Sequence, residues 1–490
     1  MLSRLIARAS VFWKPGPLRE SLYYALGLIA MRAIGLALLP VNTHFLPLSE
    51  YGRLEVLMAL ADVGGVVFSL ALPTTLSRFV GLHDDWEKRR EVCAHIFAVA
   101  ILTSALLGVL GLVLAGEIAR LMPGNPSANE VRLLVVSLSM EGLLGVALTW
   151  LRIRGAAGTF LLLSVGRSVI FATLSVMLLM AGYGLMGVLS AMAIAAVFQG
   201  LATAFVVLRE TGVRIRGIDW WPLTIYSGPL LVSALAMFAL GSLDRWFLAD
   251  DVGTAELALY GVAVRLGAIT AVLLQPFHMW WFPKRFIVLR EPFGVERSAH
   301  VVAIGIVITI LGGVIVGLGG PLVIHVMTPP AYHAAALFVP WLAMVYVVQE
   351  MGSLLELGSY LRKDGFIPLF TNLLGAAIVV GLYLVLIPRY GVAGAIASTL
   401  VAQSVRTLII HLISQYYIRL PYQMGRLALV ALMAAGGTAL SFWLLPPAFV
   451  VLGGVVTVPA TTLLAYGLGL LRPYRPPVER DPIRLNQSDR

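Results

Sequence analysis

Apolar residues fill this chain in runs of about twenty, separated by short polar breaks, from Ser21 to Leu471. A hydrocarbon core of roughly 30 Å takes ~20 apolar residues of helix to cross, so each run reads as one crossing. The predicted spans are Ser21–Leu46, Leu54–Leu82, Val92–Gly116, Val131–Leu151, Phe160–Ala181, Leu185–Leu208, Leu223–Ala249, Leu257–Phe282, His300–Gly320, Ala334–Leu361, Phe366–Ile387, Val392–Tyr416, Leu427–Leu445 and Phe449–Leu471. The fold class that follows is an all-α polytopic membrane protein with about fourteen transmembrane helices.

Lys and Arg orient the spans, because cytoplasmic loops carry an excess of both. They recur at Lys88-Arg89-Arg90, Arg152/Arg154, Arg209/Arg214/Arg216, Lys284/Arg285/Arg290/Arg297, Arg362-Lys363, Arg419/Arg426 and the tail from Arg472 to Arg490, always on the side of the N-terminus. The opposite loops, such as Asp250 to Thr254 and Thr328 to Tyr332, are short and poor in positive charge, with Arg53, Arg120 and Arg389 as exceptions. Both termini are therefore expected in the cytoplasm.

An internal repeat divides the first twelve spans. Gly158-Thr159-Phe160 followed by Gly182-Tyr183-Gly184 and Gly187 is echoed by Gly365-Phe366-Ile367 followed by Arg389-Tyr390-Gly391 and Gly394. Glu50-Tyr51-Gly52 is echoed by Leu259-Tyr260-Gly261, and Ser77-Arg78-Phe79 by Lys284-Arg285-Phe286. The expected organisation is a cytoplasmic segment 1–20, a first six-helix lobe 21–216, a second 217–420, an added helix pair 421–471 and a cytoplasmic tail 472–490. Each half has an even number of helices, so the two bundles are pseudo-symmetric about an axis along the membrane normal, an arrangement that encloses a cavity able to open to either face.

Composition agrees with the pattern. Hydrophobic residues make up 59% of the chain and charged residues 12%, and the mean hydropathy of +0.91 lies far from soluble averages. The net charge of +10 is spread over alternate loops rather than gathered on one domain, which speaks for membrane topology and against nucleic acid. A single cysteine, Cys93, leaves no disulfide framework or thiolate metal cluster, and the basic stretch from Met1 to Arg19 has no apolar core with a cleavage site.

Candidate chemistry lies in residues that are expensive in lipid. An ionisable side chain in mid-span costs roughly 2.5–3.5 kcal/mol on insertion scales, so it is expected to face protein or a watery cavity. Arg32, Arg167, Arg265 and Arg406 sit within the first, fifth, eighth and twelfth spans, with Asp62, Glu141 and Glu350 as acidic counterparts. Guanidinium groups suit phosphate or pyrophosphate, since the planar fork makes paired charge-assisted hydrogen bonds to neighbouring oxygens. The competing reading is that these arginines form structural ion pairs or snorkel to an interface. On an ideal helix Arg32 and Asn42 point within ~80° of each other and are candidates for one cavity wall; Tyr260 lies below Arg265.

Asp244-Arg245 closes the seventh span beside Trp246, either as a gate contact or as an interfacial anchor, and Arg78 is grouped with them as a gate candidate. His278 with Trp280, Trp281, Lys284 and Arg285 reads as an interfacial anchor or as a contact for headgroups or sugar. Burial and a neighbouring arginine move a carboxyl's proton affinity in opposite directions, which makes Glu55, Asp62, Glu141 and Glu350 candidates for proton coupling. Walker A loops and zinc-binding histidine pairs are missing from the sequence, so neither catalysis nor a cofactor nor a metal is expected, and a gradient or partner must supply the energy.

Pro47 to Gly52, Ser77-Arg78-Phe79, Leu243 to Leu248 and Ala258 to Ala263, in that order and spacing, resemble polysaccharide transporters of the Wzx O-antigen flippase type, within the MOP superfamily. The resemblance covers nearly the whole chain. It implies two lobes around a cationic cavity, alternating access, proton coupling, and movement of an undecaprenyl-pyrophosphate-linked oligosaccharide to the periplasmic leaflet of a bacterial inner membrane, in the service of lipopolysaccharide biosynthesis. Polysaccharide polymerase and chain-length proteins would be partners. Asp244, Arg245 and Tyr260 carry over from the motif matches; the cavity role of the four arginines is an inference from their place within apolar spans. A lipid II flippase of the MurJ type, an antiporter of the MATE type, a membrane-embedded polymerase or ligase, and a scaffold in a secretion complex are the alternatives. The acidic cavity and twelve helices of the antiporters, and the large external loop of the polymerases, are features this sequence does not display.

Overall fold

The computed structural model of the protein describes residues 17–215, 217, 220–361, 366–446 and 449–474, and among these residues every regular element is helical. The expectations for the N-terminal segment before residue 17, for Arg216 and Arg362-Lys363, and for the tail beyond residue 474 lie outside the described residues. The chain divides into two compact units, Met1–Ala258 and Leu259–Arg490.

The first unit contains α1 (Pro17–Phe45), α2 (Leu48–Ser69), α3 (Leu72–Gly81), α4 (Trp86–Leu121), α5 (Ala128–Leu138), α6 (Glu141–Ile153), α7 (Ala157–Met180), α8 (Gly184–Thr211), α9 (Trp220–Gly241), α10 (Asp244–Asp251) and the start of α11 (Thr254–Gly267). Hydropathy predicts one continuous helix from Leu54 to Leu82, yet the chain breaks at Leu70 and Ala71, whose φ angles are 46° and 54°. A left-handed conformation costs a non-glycine residue roughly 1–2 kcal/mol, so tertiary packing has to hold it. Gly142 supplies part of that packing: a Cβ there would stand 2.6 Å from the Phe68 carbonyl oxygen, so only glycine lets α6 meet the end of α2. A capping box, Ser127 with Glu130, starts α5, and Asp85 caps α4.

Lipid tails are as apolar as leucine, so close packing rather than exclusion of water draws spanning helices together. In the first unit Leu76, Phe97, Val146 and Trp150 form the centre of a buried cluster, and Trp86 stacks on Trp150 at 5.4 Å. Gly200 admits Met140 and Gly64 admits Leu138, at distances of 2.7 and 2.5 Å from where a Cβ would stand.

The second unit continues α11 and adds α12 (Ile269–Trp281), α13 (Arg285–Leu289), α14 (Gly294–Met327), a 3-10 turn (Pro330–Leu337), α15 (Val339–Leu355), a second 3-10 turn (Leu357–Tyr360), α16 (Phe366–Tyr417), α17 (Met424–Leu444) and α18 (Val451–Gly467). α17 and α18 pack on each other and on α14, burying Val430, Ala434, Ala465 and Leu318. α16 is 52 residues long, about 78 Å at 1.5 Å per residue, far more than one crossing. Gly391, with φ 54° and ψ −129°, divides it into two, as the predicted spans Phe366–Ile387 and Val392–Tyr416 require.

Ten helices or joined helix pairs of the described residues are long and apolar enough to cross a membrane. Dividing α16, taking the 3-10 turn and α15 as one bent span, and including α1 and the shorter α18 brings the total to about fourteen crossings. The protein is a multi-pass membrane protein.

The echoed segments share features of local geometry. Gly184 and Gly391 both have positive φ, at 50° and 54°. Three residues later, Gly187 and Gly394 each lie against the preceding helix, where a Cβ would stand 2.9 Å from Leu178 Cβ and 2.2 Å from the Leu386 carbonyl oxygen. Tyr51 and Tyr260 are both buried, and Arg78 and Arg285 both lie over aromatic rings.

Candidate functional site

Three polar groups of residues form within the units, and the first joins α2 to the segment from α9 to α11. Glu55 and Asp62 are seven residues apart and so share a face of α2. Arg245 Nε donates to Glu55 Oε2 at 3.2 Å, with Glu55 almost completely buried, and the same guanidinium lies 3.9 Å from Asp244. About two turns further along α2, Ser242 Oγ donates to Asp62 Oδ2 at 2.5 Å. Trp246 Nε1 donates to the Val56 carbonyl at 3.2 Å. At the start of α2, a Cβ on Gly52 would meet the Thr254 carbonyl oxygen at 1.8 Å, so the two backbones touch. The break at Ser242-Leu243 makes this possible, because it turns the chain and places Asp244 in the first turn of α10, where a carboxylate favours the helix dipole. Asp244 and Arg245 thus lie close to each other and hold α2, while Arg78 lies exposed with its guanidinium 4.4 Å from the centre of the Tyr226 ring.

The second group is centred on Arg167 of α7. Its guanidinium donates to Glu141 Oε1 at 3.1 Å and to Gln199 Oε1 at 3.4 Å. Arg167 and Glu141 each keep close to a third of the side chain exposed, so the pair is accessible as well as bonded. Arg32 is exposed on α1, whereas Asn42, ten residues further on, is buried with no hydrogen bond to its Oδ1 among the described residues. Glu50 accepts the N–H of Leu185 at 3.1 Å and so caps the start of α8 across a sequence separation of 135 residues.

The third group belongs to the second unit. Arg406 Nε donates to Asn372 Oδ1 at 3.0 Å, which joins the two halves of α16. Glu350 is buried on α15 and faces His278 of α12, with 3.5 Å between Oε2 and Nε2, and His278 stacks on Phe282 at 4.4 Å. His278 therefore turns toward protein rather than standing as a simple interfacial anchor. In the turn after α15, Glu356 lies 3.6 Å from Arg285 and accepts a hydrogen bond from Tyr360, with Arg406 close enough to act on its charge. Burial raises the Glu356 carboxyl to about 7, outweighing the pull of Arg285 and Arg406 in the other direction. Tyr260 is buried and Arg265 half-buried on α11.

Sequence reasoning did not single out Gln199, Ser242, Asn372, Glu356 or Tyr360. Ser, Asn and Gln are ordinary in spanning helices, and Glu356 sits where hydropathy alone cannot say whether a helix has ended. Two signals pointed to Arg285: the echo of Ser77-Arg78-Phe79 by Lys284-Arg285-Phe286, and its place in the aromatic and basic cluster with His278.

The sequence profile of the family described as "Polysaccharide biosynthesis protein" matches residues 18–285. A comparison with curated proteins found no match. Among solved structures, the lipid II flippase MurJ in an inward closed conformation has a TM-score of 0.68 at 12% identity, covering 91% of this chain and 99% of that one. A MATE transporter in complex with MaL6 has a TM-score of 0.53 at 17% identity, covering 81% and 95%. A MOP superfamily transporter from Pyrococcus furiosus, described as having a binding pocket of reverse polarity, also has 0.53 at 17%, covering 81% and 94%. These identities speak for the fold alone, which is that of transporters, and the profile agrees with the polysaccharide-transporter resemblance seen in the sequence. With more than half of its length matched by that profile, the chain belongs to the polysaccharide biosynthesis protein family, and its fold is similar to that of the MurJ and MATE structures.

Proposed function

We propose that the protein is a flippase that moves an undecaprenyl-pyrophosphate-linked oligosaccharide from the cytoplasmic to the periplasmic leaflet of a bacterial inner membrane, with both termini cytoplasmic. The family match is the observation that carries this reading. A hydrated sugar and two phosphates do not cross hydrocarbon unaided, whereas a polar path lined by arginine holds them while the polyprenyl tail stays in lipid. Arg32, Arg167, Arg265 and Arg406 are the proposed contacts for the head, with Asn42 and Tyr260. Asp244, Arg245 and Arg78 are the proposed gate, and Asp62, Glu141 and Glu350 the proposed proton sites. Alternating access by rocking of the repeats carries the head across. Polymerase and chain-length proteins of the same glycan pathway are the proposed partners.

Depletion in the native host, with a membrane-impermeant probe on intact spheroplasts, tests the proposal. Lipid-linked glycan trapped in the cytoplasmic leaflet supports it, and flipped but unpolymerised units would overturn it in favour of a polymerase or ligase. The likeness to MurJ favours one second reading, a lipid II flippase; accumulation of the peptidoglycan precursor in place of another glycan is its signature.

A further inference from the structure

The Arg285 guanidinium is held as if for a ligand it does not fully meet. It lies 4.9 Å from the centre of the Phe282 ring, 5.0 Å from Phe286 and 4.7 Å from Tyr360, so three aromatic faces fix its plane. Its Nε is buried with no hydrogen-bond acceptor among the described residues. The Glu356 carboxylate is its charged partner, yet at 3.6 Å it stands well beyond the roughly 2.7–2.9 Å of a strong charge-assisted bond. Arg406, oriented by Asn372, is close enough to act on the charge of the same carboxylate. Two oriented guanidinium groups acting on one carboxylate, with the Arg285 Nε to spare, match a larger anion with more oxygens, even though Tyr360 also donates to that carboxylate.

We propose that Arg285 and Arg406 form a binding site for a phosphate or pyrophosphate diester, and that Glu356 fills it from within until a proton neutralises the carboxylate and the incoming anion replaces it. The two arginines then keep a counter-charge in both states, which spares the buried site an unpaired cation. Tyr360, 41% exposed, forms the rim through which an anion reaches them. Among the described residues, the other titratable groups near the site include Glu350 with His278, on α15 and α12, Lys284, whose ammonium lies over Trp280, His411 on α16, which shares a cavity with Leu355 and Thr407, and Tyr422, which packs with Leu357 and Phe286. Glu356 titrates near neutrality, where such an exchange is useful. The proposal deepens the flippase reading by naming a site for the head's phosphates; a headgroup lipid and a free phosphate ester share this chemistry.

The test is equilibrium binding to the full chain in nanodiscs, using a short-chain dialkyl pyrophosphate diester whose charge does not change between pH 6 and pH 8. One linked proton with a midpoint near 7 makes binding about tenfold tighter at pH 6 than at pH 8. Glu356→Gln should bind tightly and equally at both pH values, and Arg285→Gln or Arg406→Gln should lose at least tenfold. Binding of the unaltered chain that is flat with pH overturns the exchange whether or not a variant folds, and binding that survives both arginine substitutions overturns the site. Tighter binding of the same head on a polyprenyl chain assigns the site to a membrane lipid; equal binding assigns it to soluble phosphate esters. Because the readout is binding, a chain that passes it but does not trap glycan on depletion would keep the site and lose the proposed flippase function.

Discussion

Removing either partner of the Glu55–Arg245 pair tests how α2 is held to α10. Only 3% of the Glu55 side chain and 12% of Arg245 are exposed, and the bond is 3.2 Å long. Breaking a pair at such burial costs about 3–5 kcal/mol, because a charge is left without its counter-charge in a medium that solvates it poorly. The two truncations should not be equal. Glu55→Ala leaves the guanidinium with Asp244 at 3.9 Å and with the Gly241 carbonyl at 3.3 Å, so its cost should fall to about 2–3 kcal/mol. Arg245→Ala removes the cation shared by two buried carboxylates and should reach the upper part of the range, about 4–5 kcal/mol. The double variant should recover part of the loss, since Asp244 then faces no neighbouring Glu55 charge across an empty site, giving a coupling of about 1–3 kcal/mol. Denaturant unfolding of the purified chain in mixed micelles, read by tryptophan fluorescence, measures all three. Additive losses within about 0.5 kcal/mol, or Glu55→Ala costing as much as Arg245→Ala, would refute the reasoning.

Gly52→Ala places a methyl group 1.8 Å from the Thr254 carbonyl oxygen, and neither backbone can yield cheaply, so a loss of at least about 1–3 kcal/mol is expected in thermal denaturation; Gly65→Ala, in open space on the same helix, should be neutral or stabilising by up to about 1 kcal/mol. Arg167→Gln removes an ion pair that is about a third exposed and should cost under about 1 kcal/mol of stability while abolishing glycan export, and export at the normal rate and abundance would remove Arg167 from the proposed path. A folded-state carboxyl raised to about 7 holds its proton more tightly than in the unfolded chain, so the contribution of Glu356 to stability is complete below about pH 4.5 and is lost as pH rises to 7. Glu356→Gln should therefore gain on the unaltered chain in unfolding experiments between pH 5 and pH 8, and a constant difference would place the Glu356 titration elsewhere.

Several features of the candidate site could be read only in outline. Arg167 and Glu141 were both visible as costly residues in spans, but nothing in a sequence says that α7 brings one to the other. His278 read as part of an aromatic and basic interfacial cluster, whereas the fold turns its ring to Glu350, 72 positions away. The breaks at Leu70-Ala71 and at Ser242-Leu243 were hidden because leucine, alanine and serine are all compatible with a helix; the break is paid for by contacts such as that of Gly142 with the Phe68 carbonyl, which exist only after α6 has docked. The turn glycines, by contrast, were legible, because Gly184 and Gly391 at positive φ and Gly187 and Gly394 at close approaches leave the same spaced letters in the two echoed segments.

The sequence by itself determined the class of molecule, the order of about fourteen spans and the turn glycines of the repeat, since transfer into lipid is a local quantity summed over some twenty neighbouring residues. Only the tertiary structure decided which polar side chains meet. Glu55 finds Arg245 across 190 positions and Glu50 finds the start of α8 across 135, and Glu356 meets Arg285 with Arg406 of a separate helix acting on its charge. Such pairings turn on bends and approaches worth a few kcal/mol, which any single stretch of sequence leaves undetermined and only the packed whole selects.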